Sequence, residues 1–183
     1  MVVNNYWGGI IIGIFICTSP SMSRAAPANQ DKSVTIEANS AQLDDQSGLS
    51  VYNGNVSITQ GSLHINADKV TAYHKNGSVN KIIADGSPAR YEQTADSKEG
   101  IVNASANTIN YLPDEHKIVL TGNATLEQRG DTVQGQSITY DMKRKIGNAG
   151  NNTKTNNQDD GRVKMIFQPK SKPTQQPTDA KAP

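Results

Sequence analysis

Residues 36–43, Ile-Glu-Ala-Asn-Ser-Ala-Gln-Leu, contain the pattern that decides the fold. The apolar side chains alternate with polar ones at Ile36 and Ala38, skip one extra position, and alternate again at Ala41 and Leu43. Alternation with period two is typical of a β-strand with one buried face, and one added residue moves every later side chain to the opposite face. The apolar side chains stay on one face only if the chain bulges or bends at the skip. The pattern therefore predicts a strand, a bend and a second strand.

The same unit occurs four times in the chain. It recurs at residues 65–72, 104–111 and 133–140, and the third and fourth copies lie 68 positions after the first and second. A small residue, Ala or Gly, precedes the skip in every copy. The chain is therefore predicted to contain an internal repeat of about 68 residues, each made of two bent units.

Two linking segments, residues 50–58 and 118–126, alternate in the same way and supply further strands. Each contains a Gly-Asn pair, Gly54-Asn55 or Gly122-Asn123, which suits a bulge or a close approach between strands. No stretch of ten residues between 33 and 168 keeps the apolar spacing of a helix. The sequence predicts an all-β fold, a twisted antiparallel stack with an apolar inner face and a polar outer face.

The two ends of the chain differ from this body. Residues 1–25 are predicted to be an export signal, cleaved as late as residue 28, because an apolar run from Ile10 to Cys17 precedes small residues around Arg24. The run is about half of the roughly 20 apolar residues that span a bilayer, so a retained membrane anchor is the weaker alternative.

At the other end, residues 147–160 are predicted to be a polar, Asn-rich loop and residues 170–183 a disordered, Pro-rich tail. Between them, Val163–Phe167 is predicted to form one more strand.

Composition and charge exclude several functions. The 183 residues carry a formal net charge of +1, and one of the 18 basic residues is Arg24 in the predicted signal, so the mature chain has no overall attraction to nucleic acid or to anionic membranes. Its single cysteine, Cys17, lies in the same signal, which excludes a disulfide or a catalytic thiolate in the mature protein.

The polar motifs do not predict catalysis, a metal site or a cofactor. His64, His74 and His116 have no metal-ligand spacing, and alternation places His64 on the outer face. Adjacent carboxylates such as Asp44-Asp45 and Asp159-Asp160 point to opposite faces of a strand or lie in turns, which disfavours acid–base cooperation. An enzyme is not expected.

The inner face is mostly aliphatic, which suits acyl chains better than sugars. An ordinary packed β core explains the same pattern, and the residues alone leave both interpretations open.

The order of motifs resembles one family. Residues 54–61 followed by 65–70, residues 83–93, and the second repeat at 119–124 and 138–140 are similar to the OstA-like family of periplasmic lipopolysaccharide export proteins. The resemblance covers roughly residues 31–169 and implies a twisted, slightly open antiparallel β-jellyroll that binds the lipid A acyl chains of lipopolysaccharide in an inner groove. It also implies a periplasmic bridge from LptC at the inner membrane to LptD/LptE at the outer membrane of a Gram-negative cell, with no cofactor.

On this interpretation the inward positions of the repeat line the groove. These are Ile36, Ala38, Tyr52, Val56, Ile58, Ile65, Val70, Tyr91, Ile109, Tyr111, Leu120, Leu126, Val133, Ile138, Tyr140 and Phe167.

An unclosed stack leaves two strand edges, which the sequence does little to protect. We expect the N-terminal edge with Val34 and Ile36 to pair with the C-terminal edge of another copy, with Val163 and Met165, in a head-to-tail oligomer. The alternative at this edge is that the Asn-rich loop and the tail cover it. The alternative for the whole protein is an exported β-sandwich adhesion or assembly module with a dry core.

Overall fold

The computed structural model describes residues 32–94, 100–150 and 162–169, and within them the chain forms ten β-strands and no helix. The strands are β1 (Val34–Glu37), β2 (Ser40–Asp44), β3 (Leu49–Gln60), β4 (Leu63–Lys75), β5 (Ser78–Thr94), β6 (Ile101–Leu112), β7 (Lys117–Gln128), β8 (Asp131–Asp141), β9 (Ile146–Gly150) and β10 (Lys164–Ile166). All of them belong to one antiparallel sheet. The all-β prediction is confirmed.

Irregularities in register bend the long strands near their middle. The pairing shifts between Asn53 and Val56 of β3 and between Thr121 and Ala124 of β7, at the two predicted Gly-Asn pairs. Gly54 and Gly122 have φ angles of 78° and 79°, in the left-handed region that glycine adopts without a steric penalty. The pairings of β4 with β5, β5 with β6, and β6 with β7 shift at the same level of the sheet. The predicted strand–bend–strand unit is confirmed.

The bends divide the sheet into two layers that face each other. The first layer holds residues 49–53, 69–75, 78–85, 108–112, 117–121 and 137–141, with β2 at one end and β9 at the other. The second holds residues 56–60, 63–66, 89–94, 101–105, 124–128 and 131–134, with β1 and β10 at its ends. Each layer therefore has eight strands, and the two are continuous along the line of bends.

A hydrogen bond shows that the layers lie face to face. Tyr140 Oη donates to Gln128 Oε1 over 2.9 Å, although Gln128 is paired with Asp131 and Tyr140 lies nine residues further along β8. An extended strand would separate those two positions by roughly 30 Å. The bond is possible because β8 turns back over the sheet, which brings its second half above its first.

Two predictions about the C-terminal part are corrected. The stretch 147–160 is not a loop throughout, because residues 147–150 belong to β9, which pairs with β8 from Ile146↔Asp141 to Gly150↔Ser137. The last strand is shorter than the predicted 163–167 and spans Lys164–Ile166. The predicted signal, most of the Asn-rich segment and the tail lie outside the described residues.

Candidate functional site

The space between the layers is filled by inward-facing aliphatic and tyrosine side chains. Leu120, Ile109 and Val70 from the first layer and Ile65 and Ala89 from the second are each completely buried. Apart from the tyrosines, only two polar side chains are buried among the described residues, Ser50 and Ser137. An interior of this kind excludes water and offers few groups that could orient a sugar or a charged substrate.

The structure brings together fifteen of the sixteen residues that the sequence places on the inner face. Eleven of them are buried: Val56, Ile58, Ile65, Val70, Tyr91, Ile109, Tyr111, Leu120, Leu126, Ile138 and Tyr140. Four others, Ile36, Ala38, Tyr52 and Val133, are partly buried and pack against this cluster.

Phe167 is the exception, and its predicted inward position is wrong. It follows the last residue of β10 and is 69% exposed. The three residues of β10 pair with Thr132–Gln134, and the strand ends at Ile166. Backbone pairing with β8 therefore does not hold Phe167 against the inner face. Phe167 belongs instead to the exposed C-terminal edge.

Tyrosines connect the two layers on the side opposite the bends. Tyr91 of the second layer lies against Tyr111 of the first, with ring centroids 5.8 Å apart, and its hydroxyl contacts Met142 Sδ at 3.2 Å and donates to Gln93 Oε1. Burial raises the pKa of Tyr91 far above its usual range, with smaller contributions from Tyr111 and Tyr140. Burial also raises the pKa of Tyr111, with a further effect of the nearby Asp114 carboxylate.

Sequence reasoning missed the polar members of this contact zone. Gln93 and Gln128 lie two positions after the buried Tyr91 and Leu126, and Met142 lies two positions after Tyr140. Continued alternation therefore places all three on the inner face, at the margin of a layer. A search for alternating apolar residues does not find Gln93 and Gln128 because they are polar, and it does not find Met142 because it lies in the turn after β8.

The outer face of the second layer carries a polar depression of about 600 Å³. Its lining includes a row of paired residues that crosses neighbouring strands: His64 with Glu92, Glu92 with Asn103, and Asn103 with Glu127. His64 is exposed, as predicted, and its Nδ1 lies 3.2 Å from Thr59 Oγ1. The polar outer face and the apolar inner face are thus separated by the sheet itself.

The other two histidines, His74 and His116, do not line this depression. His74 Nε2 is 3.1 Å from the buried Ser50 hydroxyl, and His116 occupies the turn between β6 and β7 with a φ of 52°. Over residues 32–94, 100–150 and 162–169, no group of three His, Cys, Asp or Glu side chains is arranged to hold a metal ion. In the same part of the chain no helix is long and apolar enough to cross a membrane.

Both ends of the sheet expose apolar side chains. At the N-terminal edge, Val34 of β1 and Leu43 of β2 are 45% and 65% exposed. At the C-terminal edge the exposed apolar residues are Ile146, Val163, Met165, Ile166 and Phe167. Each layer thus ends in an edge strand with exposed apolar residues at both ends of the stack.

Comparison with known proteins connects this geometry to one family. The family model described as "LptA/(LptD N-terminal domain) LPS transport protein" matches residues 35–146. Lipopolysaccharide export system protein LptH of Pseudomonas aeruginosa is 35% identical over 165 residues, which are 89% of this chain and 94% of that protein. Lipopolysaccharide export system protein LptA of Escherichia coli is 36% identical over 121 residues, which cover 65% of each protein, slightly less than two thirds.

A solved structure has a similar fold. The crystal structure of LptH, described as the LptA homologous periplasmic component of the lipopolysaccharide transport device of Pseudomonas aeruginosa, superimposes with a TM-score of 0.69 at 35% identity. The match covers 78% of this chain and 100% of that chain. The two chains therefore share the same overall fold.

Proposed function

Because the chain belongs to the LptA/LptD N-terminal family of lipopolysaccharide transport proteins, we propose that it is a periplasmic carrier of lipopolysaccharide. The carrier acts without catalysis and moves lipopolysaccharide from the inner to the outer membrane. The acyl chains of lipid A lie between the two layers, and the sugars stay in water. The observation that carries this proposal is the aliphatic interior, to which both layers of the sheet contribute.

The energetics of burial are adequate for such a role. Transfer of one methylene from water to an apolar interior contributes about 0.8 kcal/mol, so a chain of about twelve carbons gains of the order of 10 kcal/mol before any cost of opening the protein. The interior is closed by its own side chains, since Ile118, Leu120 and Ile138 are at most 1% exposed. Binding therefore requires the layers to separate, and the acyl chains replace contacts that the side chains make with each other.

The same burial supports a second candidate, an exported β-sandwich adhesion or assembly module with a dry core. Mass spectrometry of the protein purified from the periplasm distinguishes the two functions. A carrier retains lipid A, whereas a module with a permanently closed core contains none.

Photocrosslinking tests the site within the carrier proposal. A photoreactive aliphatic residue replaces Ile58 or Leu126, which are buried in the second layer, and the control replaces His64 on the outer face of the same layer. We expect lipopolysaccharide to label the two inner positions and not position 64. Equal labelling at all three positions would refute the groove.

We infer that the two edges join copies of the chain head to tail. The N-terminal edge carries β1 and β2, the C-terminal edge carries β10 and β9, and both expose apolar side chains. Partner domains with the same edges, at LptC on the inner membrane and LptD/LptE on the outer membrane, fit the two ends of such a chain of protomers. β-Strand addition supplies the backbone hydrogen bonds at every junction.

Two deletions test this assembly. Removal of residues 163–183 takes away β10, whereas removal of residues 170–183 leaves it in place. We expect the longer deletion to abolish concentration-dependent oligomers in analytical ultracentrifugation and the shorter one to preserve them, with the β circular dichroism signal intact in both. Oligomers that persist after the longer deletion would contradict edge pairing.

A further inference from the structure

A set of side chains ties the two layers together along the margin opposite the bends. We name this set the tyrosine seam, and it consists of Tyr91, Gln93, Tyr111, Gln128, Tyr140 and Met142. Tyr91, Gln93 and Gln128 belong to the second layer, whereas Tyr111 and Tyr140 belong to the first and Met142 follows its last β8 residue. Three of its contacts run from one layer to the other: Tyr91 to Tyr111, Tyr91 to Met142, and Tyr140 to Gln128.

The two margins of the layered sheet differ in how they can open. At the bends, the six strands β3 to β8 continue from one layer into the other, so their backbone holds that side closed. At the seam, the layers are held by side chains: hydrogen bonds, a sulfur contact, a tilted ring pair, and the packing of apolar neighbours such as Leu63 and Val102, which share the cross-strand row of Gln93 and Gln128. Each contributes little to stability alone, and each reforms without a change in backbone pairing. The layers therefore separate most easily at the seam.

The seam also has the polarity that an entrance for an amphiphile needs. The Tyr140 hydroxyl and the amides of Gln93 and Gln128 lie at the margin, and Ile138 and Leu126 lie two positions deeper along the strands of Tyr140 and Gln128. Tyr91 starts from the same cross-strand row as Leu126, and its hydroxyl reaches the margin, where it contacts Gln93 and Met142. Hydroxyl and amide groups that lose their partners as the seam opens can bond to water or to the polar end of a lipid. An acyl chain that enters there reaches the apolar interior after one layer of side chains.

We propose that the tyrosine seam is the gate through which acyl chains enter and leave the interior, and that the cross-layer bonds of Tyr91 and Tyr140 set the fraction of molecules in which it is open. This inference rests on the proposed carrier function. The closed form dominates in the free protein, because the seam residues bond to each other. Weakening those bonds raises the open fraction, and the rate of lipid entry rises with it.

Two conservative substitutions test the gate. Tyr140→Phe removes the bond to Gln128, and Tyr91→Phe removes the hydroxyl contacts with Gln93 and Met142, while both keep the ring. The control is Tyr73→Phe, because Tyr73 is 38% exposed and is not a member of the seam. Its ring centroid lies 5.4 Å from Lys81 Nζ. Stopped-flow fluorescence with lipid A carrying a fluorophore measures the rate of association with the full chain.

We expect each seam variant to bind the labelled lipid A about two to ten times faster than the unmodified protein, the range that the loss of one neutral hydrogen bond gives. Tyr73→Phe should bind at the unmodified rate. Thermal unfolding identifies any variant that has lost its fold. Seam variants that are folded and bind at the unmodified rate, or more slowly, would overturn the gate.

A reversible lock tests the same gate in the opposite direction. In a chain with Cys17→Ser, the pair Gln93→Cys and Met142→Cys is joined across the layers by a bismaleimide that contains a disulfide. The control pair, Asn103→Cys and Glu127→Cys, lies on neighbouring strands of one layer on the outer face. We expect the locked seam to slow lipid uptake at least tenfold and reduction of the linker to restore it.

The outcomes separate the gate from the function on which it rests. If the unmodified protein binds no labelled lipid A, the carrier function and the gate are both wrong. If it binds the lipid, and the locked seam takes it up as fast as the locked control pair, the gate alone is wrong.

Discussion

Replacement of Gly122 by alanine should destabilise the fold through one identifiable contact. Gly122 has a φ of 79°, and a Cβ atom added to it would lie 2.7 Å from Asn107 Nδ2 and 3.0 Å from Asn107 Cγ. The left-handed conformation costs a non-glycine residue about 1–2 kcal/mol. Displacement of Asn107, whose Oδ1 accepts a bond from Asn123 Nδ2 at 3.4 Å, adds about 1 kcal/mol. We therefore expect Gly122→Ala to lower the free energy of unfolding by about 2–3 kcal/mol.

Gly77 provides a matched control for the backbone effect. Its φ of 77° is almost the same, but no heavy atom lies within 4 Å of an added Cβ. Gly77→Ala should therefore cost only the conformational penalty of about 1–2 kcal/mol. The difference between the two variants measures the clash with Asn107, and Asn107→Ala combined with Gly122→Ala should cost less than the sum of the two single changes.

Urea denaturation followed by circular dichroism measures these free energies. Equal losses in Gly122→Ala and Gly77→Ala would refute the argument that the bend of β7 depends on close packing against Asn107. Gly54→Ala extends the test to the first repeat, where the added Cβ would lie 2.5 Å from Asn39 Nδ2. Asn39 is exposed, as Asn107 is, and the contacts at the two glycines are of the same kind, so the loss at Gly54 should be similar to that at Gly122.

Three further predictions follow from burial and hydrogen bonding. Leu120→Ala, at a fully buried position, should lower the free energy of unfolding by about 2–5 kcal/mol. Ile146→Ala on the exposed edge should change it by less than about 0.5 kcal/mol. Similar losses for the two variants in urea denaturation would contradict the assignment of the core. Burial raises the pKa of Tyr91 and Tyr111 above the ordinary value near 10, so the unfolded chain releases these protons at a lower pH than the folded chain does. The free energy of unfolding should therefore be unaffected by these groups below about pH 10 and should fall at higher pH. Tyr91→Phe should flatten that fall, and an unchanged slope in urea denaturation across this range would argue against its burial. Thr108 Oγ1 donates to Asp85 Oδ1 over 2.8 Å beside the bend of β5 and β6, so Thr108→Val should cost about 1 kcal/mol, and a double-mutant cycle with Asp85→Ala should be non-additive.

The sequence predicted the bends because, in each repeat unit, the apolar residues change from even to odd positions or the reverse. In each repeat unit one extra residue separates two alternating pairs, and only a change of strand direction keeps both pairs inside. The same parity correctly places Ile58, Leu126 and their neighbours on one face. Such inference works where a strand is long and one face is buried.

The remaining features depend on contacts that a local pattern does not contain. β9 has a single apolar residue between Gly147 and Gly150, and it forms because β8 offers a free row of backbone groups. Phe167 is exposed because it follows the three residues of β10 that pair with β8, and no backbone pairing fixes its orientation. The tyrosine seam joins residues that are up to 51 positions apart, as in the contact between Tyr91 and Met142. Only the folding of the sheet over itself brings them together.

The arrangement of edges also determines how a continuous groove can be built. Each layer has eight antiparallel strands, so its first and last strands run in opposite directions, β1 against β10 in the second layer and β2 against β9 in the first. A copy joined head to tail therefore continues both layers with antiparallel pairing and keeps every bend on one side and every seam on the other. A two-fold dimer can also form, in which the same edge of two copies meets about an axis normal to the layers. Its edge strands also pair antiparallel, but the bends of one copy then lie next to the seam of the other. Under the proposed carrier function only the head-to-tail junction aligns the gates of successive protomers, and such a junction is open to further addition at both ends.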